Sequence, residues 1–149
     1  RQWVETNGLS LHPEKTRIAD AEGVGFAFLG YHFRAGQRWP RKKSQDKLKD
    51  VLREKTRRTD GRSLPAIIVD INRTLRGWYA YFKHAHRYTF GALDGWLRMR
   101  LRSLLRKRAG GRGRGRGGDH LRYPNAYFRA AGLFSLAEAW YAERQSSRR

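Results

Sequence analysis

The stretch from Leu64 to Arg87 constrains the fold more than any other part of the chain. At about 100° per residue, Leu64, Ile67, Ile68, Ile71, Leu75, Trp78, Tyr79 and Phe82 fall on one side of a helix, and Arg73, Arg76, Lys83 and Arg87 fall on the other. The apolar side requires partners to pack against, and the basic side must face water or an anion. Ser63 is placed to cap this helix, and Pro65 lies in its first turn, where a missing N–H costs nothing.

The flanking segments supply the partners. A helix is expected from Ser44, as N-cap, to about Thr59, with Leu48, Val51 and Leu52 on its apolar side and Thr59-Asp60-Gly61 as the stop. Another is expected from roughly Thr89 to Lys107, burying Phe90, Leu93, Leu97, Leu101 and Leu104, with Arg98, Arg102 and Arg106 at spacing four on its outer face. Three amphipathic helices with short connections read as an antiparallel bundle. Residues 110–118, GGRGRGRGG, are expected to form a flexible loop, because glycine loses the most entropy on ordering. Beyond them, Tyr127, Phe128, Leu133, Phe134, Leu136 and Trp140 are spaced for one more helix docking back on the bundle, and the last residues should fray.

The first forty residues read differently, as a short helix end followed by strands. Leu9 and Leu11 alternate, as do Phe26 and Phe28, then Tyr31 and Phe33 across Gly30, which suggests a bulge or close backbone approach there. Trp39-Pro40 ends this portion and Arg41, Lys42 and Lys43 form a hinge, so the expected domains are 1–40 and 41–145. The fold class is α+β, mainly α: a small sheet portion with a β-hairpin, then a three- to four-helix bundle.

Charge then narrows the function. The chain of 149 residues carries 33 Lys plus Arg against 13 Asp plus Glu, net +20, with a pI near 11.4. Such an excess repels itself on compaction unless a polyanion neutralises it, which makes nucleic acid the default partner. Arginine supplies 25 of the 33 basic residues, and its planar fork suits phosphate and stacks on bases. With no cysteine there can be no disulfide framework or thiol nucleophile, and a reducing, cytoplasmic setting is expected. No run of 18 apolar residues suggests a membrane span. Because the chain opens on Arg1 in mid-pattern, it is expected to be the tail of a longer polypeptide.

Residues for catalysis are missing. Nucleotidyl transfer needs carboxylates converging on divalent ions, yet the chain has no Asp-Asp step, and acids such as Asp46, Asp50, Glu54 and Glu143 lie among basic residues, where local ion pairs are the better reading. His84 and His86 do not share a helix face, and neither they nor His12 or His32 have a companion at ligand spacing. No phosphate-cradling Gly motif follows a strand. No catalytic or metal-binding residue is assigned.

Three blocks, in order, resemble group II intron reverse transcriptases. GLSLHPEKTRI at 8–18 is similar to the end of the palm, with Lys15 at the place of a lysine near the incoming nucleotide; GFAFLGYHF at 25–33 resembles the primer-grip hairpin through Phe28, Leu29, Gly30 and Tyr31. INRTLRGWYAYF at 71–82, followed by LDGWLRMRLR and YFRAAGLFSL, resembles the thumb and maturase-specific segment. The resemblance implies RNA binding that assists intron folding and splicing, and a grip on RNA/DNA template-primer. The expected contacts are Arg41, Lys42, Lys43, Arg73, Arg76, Lys83, Arg87, Arg98, Arg102 and Arg106. It implies no cofactor in this chain, with Mg2+ needed only by a full-length polymerase. The alternatives are a tail that acts only within an RNA-directed DNA polymerase, and a free-standing, non-specific basic nucleic-acid-binding protein.

Overall fold

The computed structural model describes residues 26–28, 30–34 and 36–147, and they divide into two compact units. Lys15 and Leu29, and the short helix end and Leu9/Leu11 alternation expected before residue 26, lie outside the described residues.

The first unit runs to Gln45 and includes His84–His86. Its strands β1 (Phe26–Phe28), β2 (Tyr31–Arg34) and β3 (Gln37–Pro40) form an antiparallel sheet in chain order, with Phe28 opposite Tyr31 and Tyr31 opposite Pro40. Gly30 has φ +83°, so its role is to turn a hairpin rather than to bulge a strand. The segment 84–86 returns to β3: the His86 N–H donates to the Arg38 carbonyl at 2.7 Å, and its ring stacks on Trp39 with centroids 4.4 Å apart. His86 therefore serves the fold.

The second unit runs from Asp46 to Lys83 and from Arg87 onward. Helix α1 (Lys42–Lys55) crosses the division between the units. It starts two residues before the expected cap, since the Arg41 carbonyl already accepts from Ser44 and Gln45 N–H, and Ser44 lies inside the first turn. Leu48 and Leu52 are buried one turn apart, whereas Val51, off that row, is exposed. The helix stops short of Thr59: the Thr56 N–H donates to the Arg53 carbonyl three residues back (3.3 Å), which tightens the last turn, while its hydroxyl donates to the Leu52 carbonyl (2.7 Å).

Helix α2 (Leu64–Phe82) is capped as expected, with Ser63 Oγ accepting from Ala66 N–H at 3.3 Å. Its buried row is Ile67, Ile68, Ile71, Leu75, Tyr79 and Phe82; Leu64 and Trp78 are only half-buried. Helix α3 (Arg87–Arg108) buries the five residues expected of it, and Phe90 meets Tyr79 at 5.5 Å and Trp78 at 6.5 Å, centroid to centroid.

After α3 the chain departs from the single expected helix. It forms α4 (Gly117–Arg122), α5 (Asn125–Ala130) and α6 (Leu136–Ser147), which makes six helices among the described residues instead of three or four. Gly132, at φ +93°, reverses the chain after α5, and Ser135 Oγ caps α6 by accepting from Glu138 N–H at 3.1 Å. Helix α6 packs on α3 and α2.

Two buried polar residues hold this return. Asn72 donates to the Gly132 carbonyl and accepts from Phe134 N–H, both at 2.8 Å. Asp94 accepts from Ser135 Oγ (2.7 Å) and from the N–H groups of Leu136 and Ala137 (3.0 Å each).

The Gly-Arg stretch, expected to lack a fixed backbone, is tied to α3 and to the start of α4. Gly111 N–H donates to the Arg106 carbonyl at 2.9 Å, Arg106 Nε to the Arg112 carbonyl at 2.8 Å, and Gly115 N–H to Ser103 Oγ at 2.9 Å. Gly117 and Gly118 open α4. Hydrogen bonds to groups that α3 would otherwise leave unused offset the glycine entropy.

An ion-pair chain joins α1, the α1–α2 connection and α2. Lys55 Nζ lies 2.9 Å from Asp70, and Arg62 bridges Asp70 (3.0 Å) and Asp60 (2.8 Å). Hydrogen bonds from Arg62 hold the Asp60 carboxyl below its ordinary 3.8, and those from Lys55 and then Arg62 do the same for Asp70. A carboxylate whose pKa is depressed by folding contributes stability that is present above its unfolded value and lost as pH falls below it. Arg62→Ala should therefore narrow the difference in urea midpoint between pH 6 and pH 3. An undiminished difference would place the acid sensitivity elsewhere.

Candidate nucleic-acid interface

The basic face of α2 stands outside the core. Arg73 is exposed and makes no hydrogen bond or ion pair to a described residue. Arg76, one turn on, is exposed with its guanidinium 5.3 Å from the Phe134 ring centroid, and it makes no hydrogen bond or ion pair to a described residue. Lys83 is half-buried and paired with Glu143 at 3.7 Å. Arg87 is exposed at the head of α3 beside Tyr88, whose hydrogen bond raises the guanidinium pKa further. In the first unit, Arg41, Lys42 and Lys43 are exposed where β3 gives way to α1.

The expected outer stripe of α3 is corrected. Arg102 is 4% exposed: its Nε donates to the Tyr123 carbonyl at 2.8 Å, another nitrogen donates to Asn125 Oδ1 at 2.9 Å, and the guanidinium lies over the Phe128 ring. Burial, and then the nearby Arg98, lower its pKa. Arg106 pairs with the buried Asp119 at 3.1 Å and bonds the Arg112 carbonyl. Asp119 is held below the ordinary carboxylate value first by the Arg116 N–H (2.7 Å) and then by Arg106. Arg98 is half-buried, and its Nε is enclosed without a hydrogen-bond partner. The physical reason is that α4, α5 and the Gly-Arg stretch return over this face of α3, so Arg102 and Arg106 meet carbonyl oxygens and an aspartate instead of solvent. Arg102 and Arg106 hold the fold together.

The acids are used internally. Asp50–Arg53 and Glu54–Arg57 are local pairs at 2.9 and 2.7 Å, as their spacing suggested; Asp60, Asp70, Asp94 and Asp119 hold loops and helix ends; Glu138 pairs with Arg129. Few carboxylates remain to neutralise the outward arginines.

A second basic concentration was not anticipated in the sequence. Around Trp96, on α3, gather Lys49 (5.3 Å from the ring), Arg53 (5.3 Å) and Arg100 (5.8 Å). Two of them, Arg53 and Arg100, line a groove of about 550 Å3 together with Thr56, Arg58, Gly95, Trp96, Met99, Ser103 and Arg114, with no acid among them. A neighbouring hollow shares Arg58 and adds Lys107 and Arg112. Burial, then Arg53 and Arg58, lower the Arg100 pKa, a mark of crowded positive charge. Its sequence signals were faint: Lys49/Arg53 and Trp96/Arg100 are each one helical turn apart, but nothing local shows that the two pairs converge.

Of the primer-grip-like residues, Phe28 ends β1, Gly30 makes the turn, and Tyr31 is buried in β2. Among the described residues no helix is long and apolar enough to cross a membrane, and no three His, Cys, Asp or Glu side chains group as metal ligands. No curated protein matches the chain. The group II intron maturase-specific domain matches residues 45–120, beginning one residue before the second compact unit and ending within α4. With half of its length so matched, and with the Asn72-to-Phe82 run forming the core helix of that segment, this chain belongs to the group II intron maturase-specific domain family.

Proposed function

We propose that the domain binds the RNA of a group II intron and assists its folding for splicing, and that within a longer reverse transcriptase it also grips the template-primer. The observation that carries this reading is the disposition of charge: most described acids are already paired with this chain's own basic side chains or backbone N–H groups, while Arg73, Arg76 and Arg87 stand outward on helices whose other sides form the core. A-form RNA offers side chains its phosphates and 2′-hydroxyls, because its major groove is too deep and narrow to read. Guanidinium forks suit that chemistry. Among the described residues no acids group as ligands for a divalent ion, and the part read for these residues is to bind and position RNA. The cytoplasmic setting of such RNA belongs to the same proposal.

Replacing Arg73 and Arg76 together with alanine should weaken binding to a structured intron RNA and reduce the slope of log affinity against log salt by about 2, roughly one for each phosphate no longer neutralised. Their side chains lie outside the core, so the melting curve should be unchanged. An unchanged slope would remove this face from the interface. Equal competition by bulk duplex DNA would favour the non-specific basic protein instead.

A further inference from the structure

We propose that the groove around Trp96 holds one unpaired nucleotide of the bound RNA, its base against Trp96 and Met99 and its flanking phosphates on Arg53, Arg58, Arg100 and Arg114. The inference rests on the RNA-binding reading above and adds the kind of RNA feature recognised. Size is the first argument. A concavity of about 550 Å3 accommodates a nucleotide-sized ligand but not an RNA helix.

Charge is the second. Three cations converge on one indole, and a carboxylate answers only one of them, Asp50 pairing with Arg53 at 2.9 Å, while the groove lining itself holds none. The ring's negative face compensates only in part, so an anion is the missing member of the cluster. A nucleotide supplies both complements at once: each cation that leaves the ring for a phosphate uncovers indole on which the base can stack. Arg100 is the fixed point, since its Nε donates to Thr56 Oγ1 at 2.9 Å, while Arg58 and Arg114 are exposed at the rim without a bond to a described residue.

The local backbone supports access. Gly95 lies within α3, where glycine costs about 1 kcal/mol relative to alanine, yet a Cβ there would meet no atom within 4 Å. The groove is open where a side chain would fill it. Gly115 is the converse: a Cβ would come within 3.1 Å of Arg102 Cβ and Met99 Sδ, so the Gly-Arg stretch lies close on α3 and keeps Arg114 at the rim.

The test uses the full chain and two fluorescent RNA hairpins that differ by a single bulged nucleotide. Anisotropy titrations should show the bulged hairpin bound about tenfold more tightly, within the range of one base–aromatic stack. Gly95→Leu, which fills the groove and favours the helix, and Trp96→Leu, which keeps apolar bulk, should each abolish that preference while the paired hairpin binds as before. Arg58→Ala with Arg114→Ala should lower the salt slope for the bulged hairpin by about 1.4, at about 0.7 per single-strand phosphate. Equal affinity for the two hairpins, or a preference that survives Gly95→Leu, overturns the proposal. Weaker binding to both hairpins in Arg73→Ala/Arg76→Ala, with the tenfold ratio intact, separates the α2 face from the groove. If the unaltered protein binds neither hairpin, the RNA-binding reading fails first.

Discussion

Replacing Asp94 with alanine should destabilise the domain by about 3 kcal/mol, roughly a 10 °C fall in melting temperature for a chain of this size. Asp94 is 5% exposed and accepts three hydrogen bonds, from the Ser135 hydroxyl and from the first two N–H groups of α6. A carboxylate in this position satisfies donors that no helical partner can reach and stabilises the positive end of the helix dipole. Removing it leaves the Leu136 N–H buried and unpaired. Asn would restore one acceptor, so Asp94→Asn should fall between wild type and Asp94→Ala. Hydrogen exchange would locate the effect: the amides at the start of α6 should lose protection before those of α2. If they exchange as in the wild type, Asp94 is not what holds that helix.

Phe90→Ala should cost more, about 4 kcal/mol, a large fraction of the roughly 5–15 kcal/mol available to a domain. The ring is fully buried between α2 and α3, in contact with Tyr79 and Trp78, and its removal opens a cavity that two packed helices can close only in part. Urea denaturation should show a much lower midpoint, and RNA binding should be lost along with the fold instead of independently of it. Phe90→Leu, which keeps most of the volume, should retain most of the stability. A midpoint near wild type for the alanine variant would mean that the Tyr79–Phe90 seam is not part of the core.

Both residues illustrate how far the chain could be read without coordinates. Phe90 belongs to a row repeating every three or four residues, and such rows identified all five expected buried residues of α3 and six of the eight expected of α2. Asp94 sits in the same helix but breaks its pattern, one residue after buried Leu93. A lone acid among basic residues reads as a surface ion pair, as Asp50 and Glu54 prove to be, because its true partners lie more than forty residues further on. Asn72 escaped notice for the same reason: its role is to hold Gly132 and Phe134. The extra break at Gly132 was hidden because Tyr127 to Trp140 keeps packing intervals across it.

Periodicity and composition were enough to find the three long helices, most of the residues they bury, and an overwhelming positive charge, since both are properties carried by every folded or unfolded copy of the chain. Which arginines remain available depended on how the helices and loops come together in space. Arg73 and Arg76 stay outward, whereas Arg102 and Arg106, on an equally regular stripe, are taken up by the Tyr123 and Arg112 carbonyls and by Asp119. The same folding brings Lys49 and Arg53 to Trp96. A guanidinium responds to whichever oxygen or ring the rest of the chain places within a few ångströms, and spacing along one helix carries no information about that.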